Sequence, residues 1–90
     1  MSQAIVDPAE LRRFAHQLKH FSSELESQLA ALRGQMMNLS QTWRDQEQEK
    51  FALEFDQTTQ ALNRFVLASN QHIPFLLRKA ERIEEYLHQR

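Results

Sequence analysis

The side chains best spaced for chemistry are His16 and His20, in "HQLKH". On a helix, residues four apart share a face. Two imidazoles at that spacing are the ligand pair of the zinc-protease helix motif. Glu24, four residues further on, extends the row. The motif's general-base glutamate is absent, however, because Gln17 follows His16. Both histidines also fall off the apolar stripe of their segment. A solvated polar face accounts for all three residues, and no metal site is expected. His72 and His88 add no ligand at a useful spacing. Elsewhere there is no Gly-rich phosphate loop, no cysteine, no serine with a plausible base and no carboxylate pair in an apolar setting. The chain is therefore expected to be a non-enzyme, with no catalytic residue, cofactor or metal.

The elements that would carry these residues follow from composition. Ninety residues make one domain at most, 1–90, and they include one Gly, two Pro and no Cys. Turns need Gly and Pro, so turns must be few. Ala, Leu, Gln, Glu, Arg and Lys, the good helix formers, dominate. A net charge of −1 with interspersed acids and bases removes the electrostatic case for nucleic acid or an anionic membrane. Basic runs such as "LLRKAER" are followed at once by "IEEY" and read as solvated faces. No apolar run approaches the roughly 18 residues that span a bilayer, so no stable membrane insertion is expected. "MSQAIVDPAEL" lacks the basic and apolar regions of a Sec signal. The protein is expected to fold in the cytoplasm, and any export would use another route.

Helix 1 is predicted over about 8–40. Asp7 is a suitable N-cap, Pro8 suits the first helical position, and Glu10 completes a capping-box pattern. Leu11, Phe14, Leu18, Phe21, Leu25, Leu29, Leu32, Met36 and Leu39 then follow at steps of three and four, with one extra four-residue step at Leu25–Leu29. Helix 2 is predicted over about 45–88. "DQEQ" repeats the capping-box pattern from Asp45 to Gln48, with Glu47 and Glu49 in the first turn. Its stripe reads Phe51, Phe55, Thr59, Leu62, Val66, Ser69, Ile73, Leu76, Ala80, Ile83 and Leu87. Pro74 removes one backbone hydrogen bond, but the stripe keeps phase across it. A kinked continuous helix is expected rather than a loop.

The chain is thus predicted to be all-α, an antiparallel helical hairpin. Its hairpin or dimer core would contain Leu11, Phe14, Leu18, Phe21, Leu25, Leu32, Phe51, Phe55, Leu62, Val66, Ile73, Leu76 and Ile83. Two helices bury only one seam, and a small chain has little core. The helix 2 stripe, widened by Phe65, Phe75, Leu77 and Tyr86, exceeds what one partner helix needs. A second hairpin, giving a four-helix-bundle dimer, is the natural remedy. A homodimer and a paralogous heterodimer both qualify.

Between the helices stands "SQTWR", with the only tryptophan. Trp43 can close the hairpin tip against Leu39 and Phe51, or present itself to a partner. An acidic start in "VDPAEL", a long amphipathic helix, a Trp-centred turn and Phe51 eight residues after Trp43 together resemble the WXG family. These are the ESAT-like small hairpins of type VII (ESX-type) secretion. The resemblance covers nearly the whole chain. It implies a secreted substrate, co-substrate or export adaptor working through dimeric bundles. Trp43, Arg44 and Asp45 would be the turn that partners recognise, with a second copy, a paralogous hairpin or the type VII secretion ATPase as partners. It also implies a protein that is cytoplasmic when folded and secreted without Sec.

Two departures stand out. The Trp-x-Gly motif is here Trp43-Arg44-Asp45; Gly serves where φ must be positive, whereas Asp tolerates that region better than most residues and can cap the next helix. Export substrates of the family also carry Tyr-x-x-x-Asp/Glu near the C-terminus, but four residues after Tyr86 stands Arg90. The chain would then rely on a partner's signal or a divergent one. Alternatively it is a cytosolic helical adaptor or chaperone-like bundle that is not exported.

Overall fold

The computed structural model describes residues 6–88. Two helices, α1 (Pro8–Ser40) and α2 (Gln46–His88), account for nearly all of them. Residues 41–45 fold the helices back on one another as an antiparallel hairpin of 68 × 25 × 15 Å. The pairing is visible along its length: Trp43 lies by Phe51, Phe21 by Phe65, and Arg12 by Glu84. Arg90 and the N-terminal "MSQAI" fall outside the described residues.

The helices start where the capping chemistry places them. The Ala9 N–H donates to Asp7 Oδ1 at 2.9 Å, and Pro8 opens α1. The Gln48 N–H donates to Asp45 Oδ1 at 2.9 Å, so Asp45 is the cap of α2 and not its first helical residue. The reciprocal half of that capping box is not formed. The Gln48 side-chain amide instead donates to Ser40 Oγ at 3.0 Å, tying the first turn of α2 to the last turn of α1. Gly34 lies inside α1 with open space around it, so it interrupts neither the helix nor a contact. α2 runs unbroken through Pro74, as the continuous phase of its stripe requires.

The seam between the helices is built largely from small residues. Ala15, Ser22 and Leu29 on α1, and Thr59, Val66, Ser69, Ile73 and Ala80 on α2, are its buried members. Leu11, Leu18, Leu25, Phe55, Leu76 and Ile83 are half-buried along its edges. Phe14, Phe21, Leu32, Phe51 and Leu62 are exposed on the single hairpin. The one apolar stripe read from each helix is thus two strips, an inner one buried against the other helix and an outer one beside it that stays largely exposed. Of the buried members only Val66 and Ile73 belong to the predicted core; Leu29, Thr59, Ser69 and Ala80 lie on the predicted stripes but outside that core, and Ala15 and Ser22 lie on neither. Their signal was spacing alone, since both sit at heptad positions between larger apolar neighbours.

Candidate functional site

The outer strips meet on one side of the hairpin. Phe14, Phe21, Leu32 and Leu39 follow one another at steps of seven, eleven and seven residues, which return a helix to nearly the same angle. On α2, Phe51, Leu62 and Leu76 are spaced by eleven and fourteen, with Phe65 between them. The rings of Phe21 and Phe65 touch edge to face at 5.9 Å, which fixes both strips on the same side. Phe14 and Phe21 are each 53% exposed and Phe65 44%. The result is a continuous apolar face along both helices. Large exposed patches of this kind mark interaction sites.

At the tip, the backbone N–H groups of Thr42 and Trp43 both donate to the Leu39 carbonyl, at 3.1 and 2.9 Å, which closes the end of α1. This folds the half-buried Trp43 ring toward α2, where it lies 5.7 Å from Phe51. Phe51 in turn stacks on Phe55 at 6.0 Å. Trp43 therefore begins an aromatic ladder that runs into the apolar face. Beside this ladder is a shallow cavity of about 190 Å³ lined by Leu32, Gln35, Met36, Leu39, Phe51 and Phe55. Arg44 and Asp45 are exposed at the end of the molecule. No described residue in the turn has a positive φ.

At the open end, Arg12 grips Glu84 with two hydrogen bonds, Nε to Oε2 at 2.9 Å and Nη2 to Oε1 at 2.7 Å. These bonds hold the Glu84 carboxyl below the ordinary carboxylate range, and the same bonds raise Arg12. The histidine row behaves as a polar face. His20 Nε2 lies 3.2 Å from Glu24 Oε2, with both side chains largely in solvent. Among the described residues no group of three potential ligands could hold a metal ion. None of their helices is long and apolar enough to cross a membrane.

Comparison with known proteins places this geometry. A family model described as "Proteins of 100 residues with WXG" (WXG100) matches residues 3–86. No curated protein matches the chain. Among solved structures, a point mutant of the secreted protein EsxB from Bacillus anthracis str. Sterne is 30% identical, with a TM-score of 0.73 over 93% of this chain and 97% of that one. A second EsxB point mutant is 29% identical, with a TM-score of 0.78 over 94% and 96%. Wild-type EsxB is 29% identical, with a TM-score of 0.76 over 94% and 99%. A two-helix hairpin with a Trp-centred tip, matched over nearly its full length in sequence and in shape, belongs to the WXG100 family: the chain is a non-enzymatic, ESAT-like protein of type VII secretion.

Proposed function

We propose that the chain acts in a type VII system as a secreted substrate, co-substrate or export adaptor, and that its working form is a dimeric four-helix bundle. The continuous aromatic face is the observation that carries this reading. Two hairpins that lay Phe14, Phe21, Phe65 and their neighbours together would bury the surface that one hairpin leaves in water. The Trp43 ladder, with Arg44 and Asp45 at its end, is the feature such a bundle presents to the secretion ATPase or another component. The bundle forms in the cytoplasm and leaves by a Sec-independent route.

A first test is light scattering of the purified protein on a size-exclusion column, with circular dichroism of the same peak. A helical species of twice the monomer mass supports self-pairing; a weakly helical monomer points to a paralogous hairpin. The second test is Trp43→Ala. It is expected to weaken binding to the partner or the ATPase more than it lowers helicity, and equal losses in both would remove the recognition role.

One feature favours a second reading. Arg90 stands where export substrates of the family carry an acid, as suits a cytosolic adaptor that stays behind. Retention of the intact protein in cells with an active type VII system would support that reading, and its appearance in the medium would end it.

A further inference from the structure

On the side of the hairpin away from the aromatic face there is a second concavity. His16 and Lys19 stand two residues from Phe14 and Phe21, and a two-residue step turns a helix by about 200°. They therefore line the opposite groove, together with Asn70, Ile73, Pro74 and Leu77 of α2, around a cleft of about 350 Å³. Pairing through the aromatic face leaves this cleft open.

Its chemistry is specific in three respects. The wall made by Ile73, Pro74 and Leu77 is apolar. The only ionisable side chains in the lining are Lys19 and His16, both able to carry positive charge, and no carboxylate is among them. Finally, Pro74 has no N–H to give to the carbonyl four residues back, that of Asn70, which is left as an acceptor on the same helix. An occupant must then offer an apolar side chain, a negative group and an N–H. A helix lying side-on in the cleft has no free N–H to give, because beyond its first turn its own carbonyls take them. The last residue of a polypeptide has all three: its side chain, its carboxylate and its amide N–H.

We propose that this cleft captures the C-terminal residue of a partner protein when that residue is apolar. Its side chain packs on Ile73, Pro74 and Leu77, its carboxylate pairs with Lys19 and His16, and its N–H donates to the Asn70 carbonyl. Charge-assisted bonds to a terminal carboxylate are the usual strong element of such capture. The site owes nothing to dimer formation, so it stands or falls separately from the reading above.

The test is a two-dimensional ¹H–¹⁵N NMR titration of the full chain with three synthetic peptides. These are acetyl-Gly-Gly-Gly-Leu with a free carboxylate, the same peptide as its C-terminal amide, and acetyl-Gly-Gly-Gly-Gly with a free carboxylate. The first is expected to shift the amides of His16, Lys19, residues 70–73 and residues 75–77, Pro74 having no N–H to report. The other two should bind about tenfold more weakly or not at all. Lys19→Ala should weaken the first peptide to the level of its amide. Pro74→Ala returns an N–H to the Asn70 carbonyl and improves the helix, so loss of binding there cannot be loss of folding. Equal binding of acid and amide, shifts confined to the aromatic face, or no shifts at millimolar peptide would each overturn the proposal. So would shifts at the cleft that track protein concentration without peptide, since the occupant would then be a second copy.

Discussion

Asp45 shows how one residue can replace another with different physics. Glycine in a turn earns its place where φ is positive, and no described residue of this turn needs that. The position is free to take a residue that caps, and Asp45 does so through its bond to the Gln48 N–H. Asp45→Ala should cost about 1 kcal/mol in urea unfolding, whereas Asp45→Gly should cost only a few tenths. A large loss with Gly would mean that the turn depends on the side chain in some further way. Arg12 and Glu84 give the second residue-scale expectation. Glu84 is held below its ordinary range in the fold, so what the pair contributes is present above that range. It is lost as pH falls through the lowered folded value. Both side chains are more than a third exposed, so the contribution is small. The melting temperatures of wild type and Arg12→Met should differ at neutral pH and converge in acid. A gap that persisted at low pH would assign the effect to packing of the arginine stem.

At the scale of the helix pair, the seam is close because its central residues are small. Ala15, Ser22, Ser69 and Ala80 let the two backbones approach where larger side chains would hold them apart. Ser22 is 1% exposed, and its hydroxyl has no hydrogen-bond partner. A buried unpaired hydroxyl is unfavourable, while its methyl equivalent is not. Ser22→Ala should therefore raise stability by about 1 kcal/mol, read from the urea midpoint at an unchanged slope. Destabilisation would show that the hydroxyl is bonded in solution, through water or to its own backbone.

The whole molecule is one layer of two helices, and that shape leaves it with too much surface. Its radius of gyration is 20.1 Å, where a compact chain of this length would have about 12 Å. It exposes 7357 Å², against about 5,500 Å² for a compact monomer of its mass. The excess of roughly 1,850 Å² is about twice the share each partner buries in a standard interface. A molecule of this shape therefore has the surface to spare for an obligate pair. Phe21→Glu places a charge near the middle of that face but outside the seam. It should abolish the rise of melting temperature with protein concentration that a dimer shows, while the monomer keeps its helical circular dichroism. If the variant still associates, the interface lies elsewhere.

The amino-acid sequence alone determined the number of helices, their starts and their antiparallel order. Those features depend on local chemistry: Asp7 with Pro8, Asp45 before an acidic turn, and only five residues between the helices. It also carried the family, because Trp43, Phe51 and the two long stripes are countable along the chain. The tertiary structure decided how each stripe divides. A three-four periodicity marks an apolar side of a helix but not which part of that side meets the partner. Phe14 and Phe21 each stand one residue, a step of about 100°, before the seam residues Ala15 and Ser22, so they lie on the shoulder with about half of each side chain exposed. The tie across the tip was likewise decided by folding. The Gln48 side chain reaches across to Ser40, a contact that exists only once the two helix ends have met.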